Sequence, residues 1–346
     1  MLESYPLVSI LIPTLNSALV LEDCLKSVSD QSYPKNKVEV IVADGGSTDS
    51  TLELAKKYGA NIVSNKLKTG EAGKMAALKV SKGVFVVLID SDNILPDKDW
   101  LEEMISPLLM HPEAVGSEPW EYIRRKEDGF ITRYCALMGM NDPLVYFLGN
   151  YDRRCFLSGK WTEVSHNEKD YGKYILAEFD KRGIPTIGAN GTVFRSDFLR
   201  DNTTGDYLFD IDILSSYIKA KGKVHFIKVK TGIVHTFCES DIFKFARKQK
   251  RRAKDYFYYK SKNNRSFEWT SSGMIGKNII GYLKFVFYCL TVIPLFLQAL
   301  YGFYKKNDFA WFFHPLACEI TLCEYGWVVL TSIFRKEELC RSGWKQ

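Results

Sequence analysis

Asp90-Ser91-Asp92 follows directly on Val84 to Ile89, an apolar run rich in β-branched residues. Two carboxylates one residue apart at a strand end can share a divalent cation, Mg or Mn, and a cation held there can bridge a diphosphate. A departing nucleoside diphosphate gathers negative charge and needs positive charge fixed beside it. Taken alone, the spacing also describes a solvated turn in which aspartate caps the next helix. The hydrophobic strand in front of it favours the first reading.

The elements that must position this pair can be read from the pattern around it. Val8 to Ile12 is a buried-strand run closed by Pro13, and Val20 to Ser29 has helical spacing, with Leu21, Leu25 and Val28 on one side. Val38 to Ala43 predicts a second strand, ending in the sharp turn Asp44-Gly45-Gly46-Ser47. A helix carrying Leu52, Leu54 and Ala55, a short strand at Asn61 to Val63 and a helix through Met75, Ala76, Leu78 and Val80 complete the series. Strands alternating with helices predict an α/β, Rossmann-like fold with a mostly parallel sheet and helices on both faces. Ligands of such sheets bind beyond the carboxyl ends of the strands. Thr14 and Asn16, Asp44, and Asp90 to Asn93 are the residues there: three polar clusters on one rim.

Further on, Trp120 to Pro185 is irregular and reads as long connections lining a second ligand. Ile187 to Phe194 holds strand-like and turn segments, Ile211 to Lys219 is helical, and Val224 to Val229 and Gly232 to His235 suggest two strands. After Asp241 the chemistry changes. A dense basic stretch runs from Lys244 to Arg265, mixed with Phe and Tyr. Ile279 to Tyr301 is then apolar apart from Lys284 and Gln298, roughly the length of a membrane span. Phe309 to Phe334 is a weaker second span, carrying His314, Glu319 and Glu324. The basic flank before, and Arg335, Lys336 and Arg341 after, place both ends in the cytosol. Lys305 and Lys306 between the two spans argue against full crossing, so a shallow hairpin stays open. The resulting division is a catalytic domain over 1–240 (about 1–115 for the nucleotide, about 116–240 for the acceptor), a basic juxtamembrane segment over 241–270 and membrane-associated helices over 271–346.

A charged fraction of 25% is ordinary for a globular chain, and a net charge of +6 over 346 residues is mild. The eight cysteines form no CxxC pair and read as reduced thiols. With no basic, apolar leader at the start, the catalytic part is expected to face the cytoplasm. The basic, aromatic stretch also suits a nucleic acid, but its adjacency to an apolar span makes a membrane the expected partner and nucleic acid not.

Val8-Ser9-Ile10-Leu11-Ile12-Pro13-Thr14-Leu15-Asn16, the turn Val40 to Asp49 and Asp90-Ser91-Asp92 together resemble the family 2 glycosyltransferases of the GT-A fold over roughly the first hundred residues. The resemblance implies that Pro13, Thr14, Asn16 and Asp44 line a nucleoside pocket, with Asp44 accepting from the base. It implies that Lys74 reaches the nucleotide and its phosphates, although Lys74 also reads as an exposed helix lysine. Asp90, Ser91 and Asp92 would contact the nucleotide sugar, with Asp90 and Asp92 holding Mg or Mn. Gly188-Ala189-Asn190-Gly191 looks like the turn beside the donor sugar, which puts Asn190 and Gly191 on the sugar and acceptor side. Phe209-Asp210-Ile211-Asp212 sits where the family often has Glu-Asp before Asp-Leu, so Asp210 is the candidate base; a carboxylate favoured at a helix N-terminus is the other reading. His235 would complete the metal shell or be purely structural. Arg247 to Arg252 is similar to a Gln-x-x-Arg-Trp element of processive members, yet Ala253 stands in place of Trp. Polysaccharide synthesis is therefore not inferred, and Arg251 is assigned to the acceptor side, where this run could grip a lipid phosphate. The activity so implied is inverting transfer from a UDP- or GDP-sugar to polyprenyl phosphate or a lipid-linked glycan. A soluble or protein acceptor, or a membrane-tethered binding protein without catalysis, are the alternatives.

Overall fold

The computed structural model describes residues 5–261, 267 and 275–334. Lys262, Arg265, Arg335, Lys336, Cys340 and Arg341 lie outside the described residues.

Among the described residues, one sheet of ten strands organises the molecule. In chain order these are β1 (Val8–Thr14), β2 (Val38–Asp44), β3 (Asn61–Ser64), β4 (Phe85–Leu88), β5 (Asn93–Ile94), β6 (Ala114–Tyr122), β7 (Asn167–Asp170), β8 (Tyr174–Asp180), β9 (Thr192–Arg195) and β10 (Lys223–His235). Their spatial order is β3-β2-β1-β4-β9-β6-β10-β8-β7, with β5 paired to the end of β10. The expected mostly parallel sheet is corrected here. β3-β2-β1-β4 is parallel, as is β6 with β10. β9 enters antiparallel between β4 and β6, and β7, β8 and β5 are antiparallel to their neighbours. The sheet is mixed because β9, β8 and β7 of the second half run against the strands they pair with, and of these pairs only β7–β8 is a hairpin. The two strands expected at 224–229 and 232–235 are one strand, bulged where it pairs β6 between Val229 and Gly232. Within the mixed strand and turn segment expected at 187–194, the strand is β9, which begins at Thr192 and runs on to Arg195.

The helices are α1 (Ala18–Ser29), α2 (Thr51–Lys57), α3 (Gly70–Val80), α4 (Trp100–Met110), α5 (Phe130–Met138), α6 (Pro143–Leu148), α7 (Ser196–Asn202), α8 (Asp210–Lys221), α9 (Ile242–Ser261), α10 (Ile275–Thr291), α11 (Ile293–Lys305) and α12 (His314–Phe334). They cover both faces of the sheet. Alternate strand residues divide between two cores: Ile10, Ile12, Val42 and Val87 pack with α1 and α4, whereas Leu11, Ile41, Ala43, Val86 and Leu88 pack with α3, α7 and α8. This period of two, with both faces buried, is why the strands read as unbroken apolar runs.

The apolar stretch expected as a span over 279–301 is two helices, which reach the length and apolar character of a span only as a bent pair. The chain bends by 96° between Thr291 and Ile293, and among the described residues no single helix is long and apolar enough to cross a membrane.

Candidate active site

β1 and β2 end level, with Thr14 opposite Asp44, so their terminal residues share one rim. Thr14 Oγ1 donates to Asp44 Oδ1 at 3.1 Å, and Ser47 Oγ donates to the same oxygen at 2.5 Å. The backbone N–H groups of Gly46 and Ser47 donate to Asp44 Oδ2 at 2.8 and 2.9 Å. The carboxylate is thus filled by its own turn together with Thr14 of β1. Base recognition by Asp44 would need one of these donors to give way. Asn16, in the left-handed region at φ 51°, closes the other side. Its N–H donates to Ser47 Oγ at 2.8 Å, and its Oδ1 accepts from Thr48 N at 2.8 Å.

α3 brings Lys74 to this rim. Thr69 caps the helix by accepting from Ala72 N at 3.2 Å. Gly73 then lets it sit on β1, since a Cβ there would stand 2.8 Å from Pro13 Cβ. Lys74 is therefore buried, at 6% exposure, which removes the exposed-lysine reading. Its Nζ lies 2.8 Å from Asp90 Oδ1. Burial is the largest influence on the ammonium and lowers its pKa, but Asp90 and then Asp210 more than offset it, and the net shift is upward.

Beyond β4 the chain is locked by amides. Asp90 N donates to Asn93 Oδ1 at 2.9 Å, Asn93 Nδ2 donates to Asn190 Oδ1 at 3.1 Å, and Asn190 Nδ2 donates to Tyr122 OH at 3.2 Å. Gly191 N donates to Leu88 O at 2.9 Å, which stitches the Asn190-Gly191 turn to the end of β4. From behind, the fully buried Arg153 donates to Asn190 O at 2.8 Å while paired with buried Glu118. Ser91 is half-buried between the two aspartates.

Asp92 is held by the far end of the sheet. β5 places Asn93 opposite His235 of β10, and Thr236 N donates to Asp92 O at 3.0 Å. His235 Nε2 is 3.4 Å from Asp92 Oδ1, and Lys248 Nζ is 3.8 Å from Oδ2. Burial, the largest influence, raises the Asp92 pKa, yet His235 and Lys248 outweigh it and hold the carboxyl well below the usual range.

Lys248 was not singled out by the sequence reading. It belongs to the basic run, which forms α9 and docks on the domain through Phe245, Gln249 and Ala253. Gln249 Nε2 donates to Asn141 O at 2.7 Å, and Arg252 Nη1 donates to the same carbonyl at 3.3 Å. The signal was the spacing of four between Phe245, Gln249 and Ala253, an amphipathic face hidden among charges. Arg251 sits exposed on α9, while Lys248 faces the rim. Asp210 opens α8, and its Oδ1 accepts from Ile211 N at 3.0 Å. Phe209 beside it is buried against Tyr207 and Tyr259, so the position where an acid was expected serves packing.

The structure thus brings Thr14, Asn16, Asp44, Lys74, Asp90, Asp92, Asn190, Gly191, Asp210 and His235 around one rim. Among the described residues, no three His, Cys, Asp or Glu side chains are already gathered as a metal-binding group. Asp90 is engaged by Lys74, and Asp92 by His235 and Lys248.

Residues 9–176 match the family model described as glycosyl transferase family 2. Poly(ribitol-phosphate) beta-N-acetylglucosaminyltransferase TarS of Staphylococcus aureus is 36% identical over 113 residues, which is 31% of this chain and 20% of that protein. A dolichyl N-acetyl-alpha-D-glucosaminyl phosphate 3-beta-D-2,3-diacetamido-2,3-dideoxy-beta-D-glucuronosyltransferase of Methanococcus voltae is 34% identical over 107 residues, 28% of this chain and 32% of that one. The chain thus spans a third or less of the length of these two curated relatives. Mannosyltransferase PcManGT from Pyrobaculum calidifontis, solved in complex with GDP-Man and Mn2+, shares the fold with a TM-score of 0.53 at 16% identity, covering 94% of this chain and 88% of that one. The family model thus covers just under half of the chain, and the solved neighbour shares its fold.

Proposed function

We propose that the protein transfers a sugar, with inversion, from a UDP- or GDP-sugar to a membrane-borne acceptor, polyprenyl phosphate or a lipid-linked glycan. The observation that carries this reading is the meeting of Asp90 and Asp92 with Lys74, His235 and Lys248 beside the ends of β1 and β2. Carboxylates, imidazole and two ammonium groups are what a diphosphate leaving group and its counter-ion need. In support of the acceptor class, the two curated relatives are named for substrates that contain phosphate, and cationic α9 borders the site. The domain division and a cytoplasm-facing catalytic part belong to the same proposal.

Asp90, Asp92 and His235 are the residues that would hold Mg or Mn, and their oxygen and imidazole donors suit such a cation. Asn141 gives a second indication of fit. Its Oδ1 is buried without a partner, while its Nδ2 faces His235 Nδ1 at 3.3 Å. Turning this amide over would let Oδ1 accept from Nδ1–H and leave the Nε2 lone pair directed at Asp92. When bound, the cation supplies charge neutralisation for the departing nucleoside diphosphate. Lys74 adds fixed positive charge behind Asp90, and Lys248 does the same behind Asp92. Asn190 and Gly191, held on β4 and Arg153, shape the sugar side. Asp210 takes the proton from an attacking hydroxyl, or orients the acceptor where that is already a phosphate.

Donor hydrolysis across UDP- and GDP-sugars, with and without Mn, tests the donor. Adding polyprenyl phosphate, or a soluble polyol phosphate, separates the acceptors. Asp92→Ala is expected to abolish Mn-dependent turnover while keeping the fold; unchanged transfer by that variant would take Asp92 out of the chemistry, and no transfer by the unaltered chain with any donor would remove the enzyme assignment.

A further inference from the structure

The apolar C-terminal segment begins and ends on the catalytic body. At its start, α10 lies so close to α6 that a Cβ on Gly281 would stand 2.5 Å from Phe147 O. Its inner side chains Phe285 and Cys289 share a buried cluster with Leu144 and Leu148. At its end, Lys305 Nζ donates to Leu157 O at 3.2 Å, and the Asp308 carboxylate pairs with Arg124 and Arg133. The connection after α11, which would emerge on the far side of a bilayer if the segment crossed, is therefore tied to the same body as its start.

Between these anchors the chain turns by 96°. α10 has 17 residues and α11 has 13. At ~1.5 Å per residue they reach about 25 and about 20 Å, short of the roughly 30 Å hydrocarbon core. The outer face of the elbow carries an apolar ridge, interrupted by exposed Lys284 and Thr291. Leu283, Phe287 and Leu290 follow one another at helical spacing on α10, and Ile293, Leu297 and Leu300 repeat that spacing on α11, all between 52% and 76% exposed. A ridge of this kind needs a cover. Charge indicates which one. α12 packs against both elbow helices and against basic α9, where Arg247 is 66% exposed, and Lys284 stands exposed beside the ridge. Cations flanking an apolar ridge match the headgroups and acyl chains of an anionic lipid surface.

We infer that the α10–α11 elbow is a monotopic wedge, which enters one leaflet of an anionic bilayer and leaves it on the catalytic side without crossing. The inference rests on the membrane-borne acceptor proposed above, and it adds the geometry. The rim carrying Asp90 and Asp92 stays beside the headgroups from which such an acceptor would be presented.

The test uses the full chain with phosphatidylcholine vesicles, with and without phosphatidylglycerol. Flotation with the mixed vesicles is expected, weakened roughly tenfold or more without the anionic lipid. The combined variant Leu283→Glu, Leu290→Glu, Leu297→Glu should lose flotation and keep donor hydrolysis. Cysteines introduced at Leu290 and Tyr304, with Cys323 and Cys340 replaced by Ser, should be quenched by lipid-borne nitroxides when they carry a fluorophore, and when left free should be spared by a membrane-impermeant thiol reagent trapped in the lumen. Lumenal labelling of either position would overturn the inference in favour of a crossing. Undiminished flotation of the glutamate variant would overturn it too, as would a lipid-independent dimer that shields the ridge and ignores vesicles. Flotation without any donor hydrolysis would uphold the wedge and sink the transferase reading.

Discussion

Lys74 on α3 and Asp90 at the end of β4 form an ion pair 2.8 Å long, with the lysine almost wholly buried and the aspartate side chain 38% exposed. Asp210 lies within electrostatic reach of the same ammonium from the start of α8. One cation thus links the strand end that should meet a diphosphate to the helix that should meet the acceptor.

Lys74→Met keeps the bulk of the side chain and removes the charge. Leaving a partly solvated partner alone costs less than stranding a buried one, so the expected loss is about 2 kcal/mol, roughly 30-fold in nucleotide affinity. Titration calorimetry with UDP and GDP measures it. Unaltered affinity would make Lys74 a structural residue.

Gly191→Ala should destabilise the fold and distort the sugar side together. Gly191 has φ +81°, and a Cβ there would lie 2.6 Å from Ile233 Cδ1 and 3.1 Å from the Trp100 ring. Left-handed strain and overpacking each cost about 1–3 kcal/mol. Thermal unfolding should show a clear drop in midpoint, whereas Gly188→Ala, where nothing closer than 3.7 Å is met, should leave it nearly unchanged.

His314 supplies a pH dependence. It is fully buried: Tyr134 OH lies 2.8 Å from Nδ1, and Gln298 Oε1 lies 3.0 Å from Nε2. Burial pushes its pKa down from 6.5 to about 3. Because the folded value is below the unfolded one, the stabilisation is complete above about 6.5 and is lost as pH falls toward 3. The slope is about 1.4 kcal/mol per pH unit. His314→Gln, which cannot titrate, should flatten the difference between pH 7 and pH 5 in Trp311 fluorescence or unfolding midpoint. An equally steep loss in the variant would place the acid sensitivity elsewhere.

Legibility in the sequence followed locality. Thr14, Asn16, Asp44, Asp90 and Asp92 could be put on one rim because each follows an apolar run, and parallel strands end on one side. The charged, half-apolar face of α9 was harder to read. Phe245, Gln249 and Ala253 are buried, yet Arg247, Lys250 and Arg251 between them made the segment look like a solvated flank. Lys248 reaches Asp92 from 156 positions along the chain, a distance that no local pattern encodes. Arg153 and Tyr122 support Asn190 across 37 and 68 positions.

By itself the chain determined its alternating strands and helices, the acidic pair at the end of one strand and an apolar C-terminal stretch, since periodicity and turn chemistry act between near neighbours. Tertiary packing decided the direction of β9, the continuity of β10, the completion of the Asp44 shell by Thr14 and the bend at Val292. Those depend on which distant surface each segment can bury and on which polar groups remain to be paired there, quantities that exist only once the chain has folded.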